Sequence, residues 1–97
     1  MTALMIAQIS VKDPGTFQQY MTKTQQLARP YGAEMVSRSK AGRRLADDAL
    51  DHQMTVVVRF HSLELLDAWH ESPEYQELIG LRLARADMTM TSYEEVA

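Results

Sequence analysis

The chain has 97 residues, a formal net charge of −3 at neutral pH and no cysteine. This length predicts one small domain over residues 1–97 with a modest core. The acidic balance argues against a nucleic-acid partner, because phosphate binding needs a concentrated basic surface. The lack of cysteine excludes disulfides and thiolate metal sites. No apolar run approaches the roughly 20 residues of a membrane-spanning helix, and the N-terminus has no signal-peptide pattern, so we expect a cytoplasmic protein with no membrane partner.

The first part of the chain predicts a strand, a helix and a second strand. Residues 3–10 are almost uniformly apolar, which is typical of a buried strand. Asp13 and Pro14 form a helix start signal, and Pro30 predicts that this helix ends near Arg29. Residues 33–40 are more polar and predict an edge strand. The apolar stripe of the helix contains Phe17, Tyr20, Met21, Thr24, Leu27, Ala28 and Tyr31.

The second part predicts a loop, a strand, two helices and a last strand. Residues 41–52 are interpreted as a hairpin loop with one optional helical turn over 45–50. Residues 54–60 contain three consecutive valines and strongly favour a strand. Ser62 predicts the start of a short helix through His70, and Ser72-Pro73-Glu74 predicts the start of another. Residues 87–96 complete the pattern as a strand.

The order strand, helix, strand, strand, helix pair, strand predicts an α+β fold. Right-handed crossovers give a ferredoxin-like βαββαβ sandwich, with a four-stranded antiparallel sheet and the helices on one face.

Both faces of the first strand are apolar, since Leu4 and Ile6 alternate with Met5 and Ala7. Leaving a whole apolar sheet face in water would forgo several kcal/mol, on the order of 25 cal/mol per Å². We therefore predict a homodimer with the sheets packed face to face. The alternative is that the loop over 41–52 covers this face.

Short blocks along nearly the whole chain match a known family. They include Ile6-Ala7-Gln8-Ile9, Tyr31-Gly32, Val57-Val58-Arg59-Phe60 and, most specifically, Ala68-Trp69-His70-Glu71-Ser72-Pro73-Glu74-Tyr75-Gln76 followed by Arg82. With these blocks the chain resembles domain-of-unknown-function family 1330, within the dimeric α/β-barrel superfamily. Ala33 and Ala97 depart from the pattern, because the family often has glycine there.

The resemblance implies a ferredoxin-like fold and a dimeric α/β barrel. The superfamily includes cofactor-free antibiotic-biosynthesis monooxygenases, muconolactone isomerase, stress-responsive proteins and haem-binding chlorite dismutases. A shared fold does not assign a reaction.

Two arginines are candidate anchors for a ligand. Arg82 follows Tyr75 by two helical turns, which predicts that it shares the apolar stripe facing the sheet. A buried guanidinium is costly unless it is paired, so Arg82 either holds a substrate carboxylate or enolate or forms a structural salt bridge. The salt-bridge partner would be Glu34 or a C-terminal acid. Arg38 either faces the same cavity or is a solvated charge on the edge strand.

Histidines are the candidates for proton transfer. His70, near the gap between two helices, is the first choice as general acid or base, and its alternative is a surface helix-end residue. His61 has a similar position at the end of a strand, whereas His52 lies in the loop and is expected to be solvated. Their spacing matches no metal motif, so we expect no metal and no cofactor. Haem ligation by histidine would rest on analogy alone.

Three aromatic residues are expected between helices and sheet. Tyr20, Trp69 and Tyr75 either line a pocket for a planar ligand or pack in the core, and core packing is preferred for Trp69. The seven methionines are interpreted as core filler.

These features leave three hypotheses for function. The first is a dimeric protein that binds a small molecule in a cavity between helices and sheet. The second is a cofactor-independent monooxygenase or isomerase acting on a small aromatic or oxo-acid compound, in which Arg82 holds an oxyanion and His70 or His61 moves a proton. The third is a non-catalytic stress-response or interaction module. An open cavity with Arg82 unpaired favours the first two, and a filled interior with Arg82 bonded to a carboxylate favours the third.

Overall fold

The computed structural model describes residues 1–12, 14–43, 45–46 and 53–96, with backbone only for residues 14, 16 and 81–86. Its four strands are β1 (Ala3–Val11), β2 (Glu34–Lys40), β3 (Met54–Phe60) and β4 (Ala86–Glu94). Its helices are α1 (Pro14–Ala28), α2 (Leu63–Glu71) and α3 (Pro73–Arg85), with a 3₁₀ turn at Arg29–Tyr31. None of the helices in these ranges is long and apolar enough to cross a bilayer.

The strands form one antiparallel sheet in the order β2-β3-β1-β4. β1 and β3 are central, while β2 and β4 are the edges. The pairing of β2 with β3 shifts register between Met35 and Ser37, which places a bulge at Val36. The α+β fold and the edge position of the polar second strand are thus confirmed.

The predicted stripe of α1 packs on the sheet. Phe17, Tyr20, Met21 and Ala28 are buried in the core. After α1 the chain turns through the 3₁₀ segment to Gly32, whose φ of 77° lies in the left-handed region that glycine adopts without strain. A Cβ at Gly32 would also lie 2.5 Å from the His61 ring, so this turn requires glycine.

A serine fixes the junction between α2 and α3. The Ser72 hydroxyl donates to the Trp69 carbonyl at 2.7 Å and accepts from the Tyr75 amide at 3.2 Å. It therefore closes the end of α2 and caps the start of α3, as the Ser72-Pro73 signal predicts. The Ser62 hydroxyl accepts from the Leu65 amide at 3.2 Å, so the predicted start of α2 is also confirmed.

Strand parity separates the two faces of the sheet. The face covered by the helices carries buried side chains from the central strands: Ala3, Met5, Ala7, Ile9, Val56 and Phe60. The opposite face, called the open face below, carries Leu4, Ile6, Val57 and Tyr93 at one end. The other end of the open face is polar, because Gln8, Thr55 and Thr89 lie side by side there.

Element boundaries differ from the sequence expectations by a few residues. β1 extends to Val11, and β4 runs from Ala86 to Glu94 instead of over 87–96. Asp13, His52 and most of the optional helical turn at 45–50 lie outside the described residues.

Candidate functional site

A cavity of about 200 Å³ lies between α1 and the covered face of the sheet. Its floor is formed by helix-facing side chains of all four strands, and its roof by α1 and the 3₁₀ turn. Small residues at Ala7, Ala28 and Ala33 face this space, so the strands and the helix leave room between them. The expected position between helices and sheet therefore contains an open space.

Five of the seven methionines contribute to the cavity wall: Met5, Met21, Met35, Met88 and Met90. The thioether side chain is unbranched and polarisable, and it adapts to ligands of irregular shape. The sequence interpretation of these residues as core filler missed this clustering. The register would have revealed part of it, because Met5, Met88 and Met90 share one face of neighbouring strands.

Trp69 is 1% exposed and contributes to the same wall. Its ring centroid lies 5.5 Å from that of Phe60 and 4.5 Å from that of Tyr75. These contacts and the Ser72 bond to its carbonyl fix the indole in place. The buried Nε1–H finds no acceptor among the described residues. Trp69 thus combines core packing, a place in the cavity wall and a buried donor without an acceptor among the described residues.

The two candidate tyrosines pair with each other. The hydroxyls of Tyr20 and Tyr75 lie 2.9 Å apart, and both residues are fully buried. The Tyr75 hydroxyl also lies 3.8 Å from the Met90 sulfur. Tyr20 contributes to the cavity wall, and its hydroxyl joins α1 to α3. The pair gives each buried phenol the partner that it needs.

A second cavity of about 330 Å³ lies beside α2 and is more polar. His70, Asp67 and Ser92 contribute its polar groups. His70 follows Asp67 by three residues on α2, so the two side chains share one face of the helix. The His70 ring centroid lies 5.1 Å from that of Tyr75. The two cavities are separated by residues common to both walls: Met5, Trp69, Met88 and Met90.

The other candidates lie elsewhere. Arg38 is exposed, and its Nη2 donates to the Gln18 side chain at 3.1 Å, away from the walls of both cavities. His61 is exposed, and its ring lies against Gly32. Arg82 falls within α3, but its side chain lies outside the described part of the chain.

Sequence reasoning missed Arg29. This exposed residue follows α1 and contributes to the wall of the apolar cavity, together with the exposed Gln25 one turn earlier. Of the described residues in this wall, Arg29 alone carries a charge. The only sequence signal at this position was the helix end before Pro30.

One carboxyl group at the end of the sheet has a shifted pKa. Hydrogen bonds from the Thr2 and Arg59 side chains hold the pKa of Glu95 below its usual range. The Arg59 Nε donates to the Glu95 Oε1 at 3.3 Å. This ion pair lies outside both cavity walls and ties the C-terminal segment to β3.

Among the described side chains, no three His, Asp or Glu residues group as metal ligands would.

Solved structures share this fold at low sequence identity. A protein of unknown function from Rhodopseudomonas palustris, RPA0582, matches with a TM-score of 0.82 and 11% identity, covering 99% of this chain and 83% of that one. SnoaB, a cofactor-independent oxygenase from Streptomyces nogalater, matches with a TM-score of 0.71 and 9% identity, covering 99% and 94%. A dimeric ferredoxin-like protein of unknown function from Jannaschia sp. CCS1 matches with a TM-score of 0.69 and 13% identity, covering 98% and 100%. At these identities the likeness establishes the ferredoxin-like fold and no reaction.

No curated protein matches the chain. The family model described as "Domain of unknown function (DUF1330)" matches residues 2–96, which is nearly the whole sequence. The predicted resemblance is therefore confirmed, and this chain belongs to the DUF1330 family.

Proposed function

We propose that this protein binds a small, mainly apolar molecule in the cavity beneath α1. The observation that carries the proposal is the buried Trp69 Nε1–H, which has no acceptor among the described residues and belongs to a residue that contributes to the cavity wall. A buried donor without a partner costs about 1–3 kcal/mol. A ligand with one hydrogen-bond acceptor would remove that cost.

The size of the cavity limits the ligand. An engineered apolar cavity of about 150 Å³ accepts benzene. The present cavity of about 200 Å³ therefore suits one ring with a short substituent. The methionine-rich wall supports binding of a flat ligand, because sulfur makes favourable contacts with aromatic rings.

A matched pair of probes tests this proposal. Acetophenone and α-methylstyrene have nearly the same shape, because a C=CH2 group replaces the carbonyl, but only acetophenone has a hydrogen-bond acceptor. We expect acetophenone to bind about tenfold more tightly in calorimetric titrations. Trp69→Phe should remove the difference, provided that circular dichroism shows the variant to be folded.

Tyr20→Phe is the control for that experiment. Tyr20 also belongs to the cavity wall, but its hydroxyl is bonded to Tyr75. The preference for acetophenone should therefore survive in Tyr20→Phe. If neither probe binds the wild-type protein, or if Trp69→Phe keeps the preference, the proposed role of the indole is wrong.

The proposal includes a homodimer formed through the open face of the sheet. Leu4, Ile6 and Val57 form an apolar patch beside Arg59 and remain partly accessible in the single chain, and Tyr93 next to Leu4 is 50% exposed. Covering this patch with a second copy removes apolar surface from water. The name of the Jannaschia neighbour describes that protein as dimeric.

Light scattering tests the dimer and its interface. We expect wild-type protein to have the mass of two chains, and Ile6→Lys to have the mass of one. Gln8→Lys places the same charge at the polar end of the same strand face, so it should weaken association less. A wild-type protein with the mass of one chain would contradict the homodimer.

An alternative proposal is a cofactor-independent oxygenase or isomerase. The observation that favours it is the position of His70 in the wall of the second cavity, one turn from Asp67. There the imidazole would move a proton to or from a small aromatic or oxo-acid substrate. That Arg82 holds the oxyanion of this substrate stays a prediction, because its side chain lies outside the described residues. His70→Ala and Arg82→Ala should then abolish turnover. Retained turnover in both variants would refute this mechanism.

The open cavities support these two proposals over a non-catalytic interaction module, for which a filled interior was expected. The second criterion, whether Arg82 is paired, falls on a side chain outside the described residues. A single variant separates the binding protein from the enzyme, because a protein that only binds its ligand should still bind it in His70→Ala.

A further inference from the structure

We infer that the ligand of the cavity beneath α1 is a carboxylate with an apolar body, and that Arg29 and Gln25 recognise its carboxylate at the mouth. This inference rests on the proposed function and goes beyond it by naming the chemical class of the ligand. It follows from the way in which polarity changes along the cavity wall.

The wall has an apolar interior and a polar rim. Ile9, Phe60 and Trp69 are buried in the interior. Gln25, Arg29 and Met35 belong to the same wall and are exposed, so they mark the side where the cavity meets solvent, and Gln25 and Arg29 are the polar residues there. A ligand that fills this space places its apolar part, with room for one acceptor toward Trp69, among the buried side chains and its charged end at the rim.

The charge at the rim has one sign. No Asp or Glu belongs to the described wall of this cavity, and Arg29 is its only charged member. No carboxylate among the described residues forms an ion pair with the Arg29 guanidinium. A guanidinium presents a planar set of donors that matches a carboxylate. Gln25, one helical turn earlier, offers an amide donor on the same side.

Arg29 also has a simpler role. It follows the C-terminal end of α1, where a cation is favoured by the helix dipole. That role predicts an effect on stability and none on ligand choice. The two roles are therefore separated by measuring which ligands the cavity prefers.

The test uses 3-phenylpropanoate and 3-phenylpropanamide, which differ in charge but hardly in shape. Trp69 is the only tryptophan and belongs to the cavity wall, so its fluorescence reports occupancy. We expect wild-type protein to bind the carboxylate about 3- to 10-fold more tightly than the amide. Added salt should reduce this preference, since the rim is exposed to solvent.

Two variants locate the effect. Arg29→Gln should bind both probes equally, with affinity for the amide unchanged within about twofold. Lys23→Gln removes the same charge from an exposed position of α1 outside the cavity wall, and it should keep the preference.

Each outcome has a distinct meaning. Equal binding of the two probes by wild-type protein, or a preference that survives Arg29→Gln, overturns the assignment of the ligand class and leaves the apolar cavity as a binding site. Failure of both probes to bind wild-type protein overturns this inference, whereas the proposed function is overturned only if acetophenone also fails to bind.

Discussion

The two faces of the sheet are built from the same strands, but one encloses a cavity and the other leaves apolar side chains uncovered. On the covered face, core side chains such as Ile9 and Phe60 are fully buried, yet a cavity of about 200 Å³ remains under α1. On the open face, Leu4 and Ile6 remain partly accessible, and no helix of the described chain covers them. The covered face offers space for a small molecule, whereas the open face offers surface for a second chain.

This comparison shows that burial alone does not identify a site. Trp69 and Phe60 are equally buried, but only the indole carries a polar group without a partner. The cavity exists because alanines stand on both sides of the gap, at Ala7 on β1 and Ala28 on α1. Small residues at facing positions of a sheet and a helix thus create room that the larger aromatic residues enclose.

The largest expected effect comes from removing the aromatic core of the covered face. Phe60 is fully buried and packs against Trp69. Phe60→Ala should lower the free energy of unfolding by about 3–5 kcal/mol. Urea unfolding measures this loss. Tyr93→Ala on the open face is the comparison, and a loss as large as that of Phe60→Ala would show that the open face is also a core.

A pair of alanines distinguishes filled from empty parts of the covered face. Ala3 and Ala7 are both buried on the same face of β1, but only Ala7 belongs to the cavity wall. Ala3→Leu should cost about 1–3 kcal/mol through overpacking. Ala7→Leu should cost less or stabilise the protein, because the new side chain enters empty space. Thermal unfolding of the two variants compares them directly, and equal losses would indicate that no usable space exists beside Ala7.

The buried tyrosine pair predicts a moderate effect. Tyr75→Phe removes one hydroxyl from the bond that joins Tyr20 to Tyr75 across α1 and α3. We expect a loss of about 0.5–1.5 kcal/mol in the free energy of unfolding. Tyr93→Phe removes a hydroxyl from a half-exposed ring and should change stability very little. If Tyr75→Phe has the same free energy of unfolding as wild type, the hydroxyl pair does not help to hold α3 against α1.

The smallest effect depends on pH. The pKa of Glu95 is lowered in the folded protein by the Thr2 and Arg59 side chains. Its ionised form therefore stabilises the fold at pH values above its unfolded pKa, and this contribution is lost as the pH falls through the lower folded value. Glu95→Gln should be slightly less stable than wild type at neutral pH, and the difference should vanish in acid. Glu94→Gln serves as the control. A difference that persists at the lowest pH would exclude the ionised pair as its cause.

Patterning in the sequence predicted the fold because each element carries a local signal. These signals act on neighbouring residues in the sequence: the valines at 56–58 favour a strand, and Ser62 and Ser72 cap helices. The structure has β3, α2 and α3 at these positions. The order of elements then restricts the topology to a small number of solutions.

The candidate site was only partly predictable, because it depends on contacts between distant segments. Tyr20 and Tyr75 were named as aromatic residues facing the sheet, but their hydroxyl bond spans 55 positions of sequence and leaves no local pattern. Arg29 was passed over in favour of Arg82, since the angle at which the 3₁₀ turn leaves α1 sets its position at the rim. The clustering of methionines required the register of β1 and β4.

Calorimetric titration of acetophenone into the two alanine variants tests the central claim most directly. If the space beside Ala7 is the ligand site, Ala7→Leu should be folded and bind at least about tenfold more weakly than wild type, while Ala3→Leu keeps wild-type affinity. Undiminished binding by a folded Ala7→Leu protein would contradict the account, because the ligand would then occupy another part of the molecule.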